Sequence, residues 1–240
     1  MKTDHEKQSA AAMANEVTFS RREECLDSFP KYVTRQRLTR FLSFYELFKM
    51  ILPVEGSIVE CGVFHGAGLM AWAKLSAILE PTNWKRKVIG FDTFSGFPQV
   101  EDTDVGSRPD LVRPGQISSD SYSELVRLIA AFDLDRFLNH IPKVELVRGD
   151  ACETIPQFLS ANRHLLVSLL YLDFDLHRPT LVAIQYLTQR MPKGAVFVFD
   201  NVDHPYWPGE TEAVDEVLGV DLLAIRKFPW DPSLCYAVKE

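Results

Sequence analysis

The sequence predicts a doubly wound α/β fold: a mostly parallel sheet of seven strands with helices on both faces. Three observations carry this. Short apolar runs alternate with helix-patterned segments from Ser57 to Leu218. One run, Leu165–Leu172 (LLVSLLYL), is apolar almost throughout, as expected of a central strand buried on both faces. Several strand candidates end in an acid, and ligands of such sheets bind beyond the strand C-termini.

In chain order, residues 1–16 are polar and alanine-rich and are expected to be a mobile tail on a single domain spanning 1–240. From Phe29 to Met50, Leu38, Phe41, Leu42, Tyr45, Leu47 and Phe48 recur at helical spacing, and Pro53 and Gly56 end the helix. Ser57–Cys61 is the first strand. A turn around Gly62 and Gly66 follows, then a helix over Gly68–Leu79. Lys87–Phe91 (KVIGF) is the second strand and reaches Asp92. Residues 97–121 are rich in Pro, Gly, Asp and Ser, and a loop of this length is expected to be a lid. Its Arg108 and Arg113 either meet an anionic substrate or are simply exposed.

Ser123–Phe132 is patterned as a helix, and Val144–Val147 as a strand leading to Arg148-Gly149-Asp150. A helix starts over Thr154–Leu159. The buried run ends in Asp173-Phe174-Asp175, and Pro179–Arg190 is helical. Gly194–Phe199 is a fifth strand ending in Asp200-Asn201, and Glu210–Leu218 is a helix. Leu222–Arg226 and Ser233–Val238 read as two closing strands, an antiparallel hairpin at the sheet edge. The architecture is Rossmann-like.

Composition narrows the function classes. The net charge of -7 argues against non-specific nucleic-acid binding, which needs clustered basic surface. No apolar run reaches the ~20 residues of a membrane span. The N-terminus lacks the apolar core of a secretory signal, and the four cysteines are scattered without a C-x-x-C, so a reduced cytoplasmic setting is expected.

Glu60, Asp92, Asp173 with Asp175, and Asp200 all stand at strand ends. Unpaired buried charge is expensive, so this convergence marks a site. The glycine turn does not match G-x-G-x-x-G, and no Walker lysine is present. A ring of acids suits a ligand with ribose hydroxyls and a cationic centre, and S-adenosylmethionine has both. Asp92, one βα unit after the glycine turn, is positioned either to grip a ribose or to cap a turn.

Five stretches in order, IVECGVFHGAG, GFDTFSGFP, VRGDACETIP, LLYLDFDLHRPTLVAI and PKGAVFVFDNVDHPYWPGETEAVDEVL, resemble the macrocin O-methyltransferase family of S-adenosylmethionine-dependent enzymes. Many of these methylate sugar hydroxyls on antibiotics or nucleotide-linked deoxysugars. The resemblance covers about Pro53 to Gly219 and implies the class I methyltransferase fold. It implies that Glu60, Gly62 and Gly66 shape the cofactor pocket, with Glu60 near the methionine amino group. Asp92 would take the ribose hydroxyls, Thr93 and Phe94 would lie beside the nucleoside, and Asp150 and Ala151 at the adenine edge. Asp173 would border the cofactor and bind a divalent metal, usually Mg²⁺, completed by Asp200 and Asn201; Asp175 would be the general base. A sugar-containing substrate and a homo-oligomer, dimeric or larger, are implied as well. The chain departs from the family at Asn201, where a second acid is common.

The residue types suit the chemistry. Methyl transfer is an in-line displacement, and a sugar hydroxyl needs a base to take its proton as the bond forms. Asp173 and Asp175, two apart on an extended segment, would point the same way. Asp175 alternatively caps the next helix or pairs with Arg178, and His177 is an alternative base. Tyr206 and Trp207 either wall a sugar ring or pack beneath the loop.

Overall fold

The computed structural model describes residues 22–240. The expected tail, 1–16, lies outside the described residues. The chain divides into two compact units, one ending at Leu42 and one running from Ser43 to Glu240. The described part of the first consists of α1 (Arg22–Asp27), α2 (Phe29–Tyr32) and the start of α3 (Arg35–Ile51). The helix predicted from Phe29 is therefore interrupted: Val33 is extended at ψ 139° and ends α2, as befits a β-branched residue. In the second unit, α3 buries Phe44, Leu47, Phe48 and Ile51.

The second unit holds a seven-stranded sheet in the order β3-β2-β1-β4-β5-β7-β6. The strands are β1 (Ser57–Cys61), β2 (Val88–Asp92), β3 (Val144–Arg148), β4 (Val167–Leu172), β5 (Val196–Phe199), β6 (Arg226–Lys227) and β7 (Cys235–Val238). Strands β1 to β5 are parallel; β7 runs antiparallel to β5, and β6 antiparallel to β7. Every residue of β1, β4 and β5 is buried, which is why these runs carry almost no polar alternation. Edge strand β3 is buried only at Val144.

The connecting helices are α4 (Ala67–Leu79), α5 (Tyr122–Asp135), α6 (Ala151–Ala161), α7 (His177–Leu187) and α8 (Pro208–Leu218). One core joins Val59, Ile89, Leu170 and Phe197 of the sheet to Ile155, Ile184 and Val214 of α6, α7 and α8. Trp72 of α4 is fully buried and packs against Phe44 in a tilted ring pair, centroids 4.4 Å apart.

The closing hairpin is shorter than the sequence suggests. Val220–Leu222 is a 3-10 turn behind Gly219, and Leu222 is exposed. The Asp215 carboxylate accepts the Val220 N–H at 3.1 Å, which favours a turn over a strand there. Only Arg226 and Lys227 pair with β7.

Residues 97–121 form no long helix or strand, as expected, yet the loop is tied. Phe97 N–H donates to Gln116 O at 3.0 Å and Gly115 N–H to Phe97 O at 2.9 Å, closing its neck. Phe97, Val112 and Leu176 form a small second core with Val100 and Trp207. No helix among the described residues is long and apolar enough to cross a membrane.

Candidate active site

The strand order reverses between β1 and β4, and a cleft opens at their C-terminal ends, where such sheets bind ligands. Gly62, Asp92, Thr93, Asp150, Ala151, Asp173 and Asp175 all line it. Glu60, Gly66, Phe94, Asp200 and Asn201 are not among its lining residues.

The turn after β1 is built on close approach. A Cβ on Gly62 would lie 2.0 Å from Asp173 O, and its φ is +96°, so only glycine lets the ends of β1 and β4 meet here. Asp92 organises the same turn from β2. One carboxylate oxygen accepts the Val63 and Phe64 N–H groups at 2.7 and 2.8 Å, and the other accepts the Phe94 N–H at 2.6 Å. Of the two sequence alternatives for Asp92, these contacts give the turn aspartate, and the same residue borders the cleft. Phe64 and Phe94 take left-handed φ values of 50° and 56° around it.

Glu60 is 1% exposed, and its carboxylate is tucked under α4. Burial pushes its pKa well above the usual carboxylate range; the Leu69 N–H and the Trp72 indole beside it offset this only in part. Gly66 is the residue before α4, at φ +80°, packed against Leu125. Thr93 Oγ1 donates to Gly96 O at 2.7 Å, fixing the turn that follows Asp92. Asp150 caps α6 by accepting the Cys152 N–H at 2.9 Å.

The acids converge beyond β4 and β5. Asp173 is raised well above its normal range by burial, then by Asp200, Asp175, Glu210 and Glu60. Asp175 is pushed up to about 7 by burial and by Asp200, against a lowering hydrogen bond from Asn201. The Asn201 amide nitrogen donates to Asp175 Oδ1 at 2.7 Å and lies 3.4 Å from Asp173 Oδ1. Asp173 and Asp175 do share the cleft, but not through an extended segment: Asp175 has φ +61°, and a left-handed turn brings it round. The two other roles weighed for Asp175 are filled differently. The first N–H of α7, on His177, is taken by Asp104 at 2.6 Å, and Arg178 faces Glu101 at 3.7 Å. The His177 ring lies 3.2 Å from Glu216.

Two members of the cluster escaped sequence reading. The Tyr171 hydroxyl lies 3.0 Å from Asp200 Oδ1 and 3.3 Å from Asp173 Oδ2. Tyr171 sits two residues before Asp173, and the strand period of two was a usable signal. Glu210 is fully buried; it accepts the Asn201 N–H at 3.1 Å and keeps its other oxygen unpartnered. Trp207 packs against Phe97 at 5.9 Å, so it serves the loop core.

The donor chemistry of Asp173, Asp200 and Asn201 suits a hard divalent cation: the neighbours that raise Asp173 are all acids. Among the described residues, however, no three His, Cys, Asp or Glu side chains stand ready as a ligand set. Asn201 would ligate only through its amide oxygen, whereas its nitrogen now faces the carboxylates.

Comparison with known proteins bears on the family and the fold. The crystal structure of CalS11, a calicheamicin methyltransferase, matches with a TM-score of 0.92 and 31% identity, covering 99% of this chain and 94% of that one. An apo structure of CalS11, described as a TDP-rhamnose 3'-O-methyltransferase of calicheamicin biosynthesis, matches with a TM-score of 0.84 and 29% identity, covering 99% and 96%. The O-methyltransferase NovP shares the fold, with a TM-score of 0.65 and 19% identity over 84% of this chain and 79% of its own. No curated protein sequence matches. The model of the macrocin O-methyltransferase (TylF) family matches residues 1–218, nearly the whole chain, and this protein belongs to that O-methyltransferase family.

Proposed function

We propose that this enzyme moves a methyl group from S-adenosylmethionine to a sugar hydroxyl, on a nucleotide-linked deoxysugar or a glycosylated natural product. The observation that carries the reading is the meeting of two residue sets in one cleft. Gly62, Asp92, Asp150 and Ala151 supply a nucleoside-sized edge, and Asp175 faces the same space from β4. The kinship with CalS11, whose acceptor is TDP-rhamnose, supports the sugar.

In this reading Asp92 offers its remaining lone pairs to the ribose. Asp175, held by Asn201, takes the acceptor proton while the carbon–oxygen bond forms and the sulfonium leaves as a thioether. A carboxylate near 7 is matched to that task at neutral pH. Asp173, Asp200 and Asn201 would hold Mg²⁺, which when bound supplies Lewis-acid activation of the hydroxyl. The test is incubation with labelled S-adenosylmethionine and TDP-rhamnose, with Mg²⁺ or with EDTA. Label in the sugar is expected. Absence of cofactor binding by calorimetry would overturn the reading.

A further inference from the structure

The 97–121 loop carries an acid whose burial the methyl-transfer chemistry does not use. Asp104 is 1% exposed and sits in the 3-10 turn Asp102–Asp104. One carboxylate oxygen accepts the Glu101 N–H at 2.8 Å within the loop. The other reaches across 73 residues to the His177 N–H at 2.6 Å. His177 opens α7, two residues after Asp175. A free helix-terminal N–H is thus satisfied from a distant loop and not by its own N-cap, Leu176, which has no acceptor side chain.

The neighbouring contacts are made around this one. A Cβ on Gly209 of α8 would lie 2.5 Å from both Asp104 Oδ1 and His177 N, so glycine is needed for the three segments to meet. The Ser107 N–H donates to Pro205 O at 2.9 Å, tying the loop to the segment after β5. Phe97, Pro98 and Ile117 of the loop line the same cleft as Asp175 and Leu176, and Phe97 packs with Leu176 in the small second core.

We propose that Asp104 is a positioning residue for the acceptor. It fixes the loop as a standing wall of the cleft, in register with the turn that carries Asp175, so that the loop acts as part of the acceptor site and not as a free lid. The role rests on the sugar O-methyltransferase reading, and it requires that the acceptor lie between the loop and Asp175.

The test measures D104A, D104N and G209A in the full chain, with S-adenosylmethionine and TDP-rhamnose. D104A removes both hydrogen bonds and should raise acceptor KM roughly tenfold or more, the scale of one lost charge-assisted hydrogen bond. Cofactor Kd should stay within about twofold, since the cofactor edge lies on β1, β2 and α6. D104N keeps an oxygen for the His177 N–H and should recover most of the acceptor KM. G209A, pressing on the same contact from α8, should reproduce the D104A pattern. A merely structural role would instead lower the active fraction and move kcat and cofactor Kd along with KM. Acceptor KM unchanged in folded D104A overturns the proposal, as does equal loss of cofactor affinity. Hydrogen exchange decides independently of any acceptor: the His177 amide and the 97–116 amides should lose protection together in D104A or, if D104A does not fold, in G209A. Protection of the loop surviving the loss at His177 also overturns it. Wild type that does not methylate the sugar sinks the functional reading, while the exchange result still judges the clamp.

Discussion

Replacing Asp175 with Asn should abolish transfer and stabilise the protein, and the size of the stabilisation follows from the site. In the fold this carboxyl is lifted from 3.8 to about 7 by burial and then by Asp200. A raised folded pKa means that stability is fully present below the unfolded value and is lost as pH rises through the folded one. Three units at ~1.4 kcal/mol each give ~4 kcal/mol of lost stability above neutrality. Water in the cleft screens part of this, so a gain of ~2–4 kcal/mol is expected for D175N at about pH 8. Near pH 4, close to the unfolded pKa, the difference should shrink to below ~1 kcal/mol. Asn also accepts the left-handed backbone of φ +61° and can still receive the Asn201 amide hydrogen. The assay is urea unfolding at the two pH values in EDTA, paired with labelled methyl transfer. Equal stability of variant and wild type at pH 8 would show that the fold does not disfavour the ionised Asp175 carboxylate. Near-normal turnover would remove it as the base.

Wild-type kcat/KM should rise with pH and level off above about 7, because the base acts deprotonated and its carboxyl titrates there; a flat profile from pH 5 to 9 would contradict this. Gly62→Ala places a Cβ on Asp173 O at 2.0 Å and an L-residue at φ +96°, so a loss of ~2–4 kcal/mol in chemical unfolding is expected, or no folded protein. Asp92→Ala strips three N–H groups of their acceptor and should weaken cofactor binding roughly tenfold or more by calorimetry, with an unchanged Kd counting against its place at the ribose. Asp173→Ala should blunt the response of activity to Mg²⁺ and EDTA, and an undiminished response would argue against a ligand role.

The sheet was legible because fully buried parallel strands leave a plain mark. Ser57–Cys61 matches to the residue, and Leu165–Leu172 overshoots β4 by two residues: Leu165 and Leu166 are apolar but precede the strand, the Leu165 N–H closing a turn onto Asn162 O at 3.0 Å and Leu166 O accepting the Ser57 N–H at 2.8 Å. The closing hairpin was misjudged for the opposite reason. Leu222, Leu223 and Ile225 look like strand residues, but Gly219 and Asp215 set a turn that leaves Leu222 exposed and sends Leu223 against the main core.

The acids were legible as a group because each ends a strand or follows one, and topology gathers strand ends at one edge. Their division of labour was not. Nothing in D-x-D states that the second Asp turns left-handed, or that its amide partner lies 26 residues away at Asn201. The loop was the least legible part, since its order comes from contacts without sequence period: Asp104 to His177, Ser107 to Pro205, Phe97 to Trp207. A Pro- and Asp-rich composition reads as mobile because such residues lack a core of their own. Here the loop borrows one, from Leu176 and Trp207 behind β4 and β5. Those segments also carry Asp175 and Asn201. The order of the loop and the placement of the base therefore depend on the same two chain segments, and a change in either is expected to be felt at the acceptor before it is felt at the cofactor.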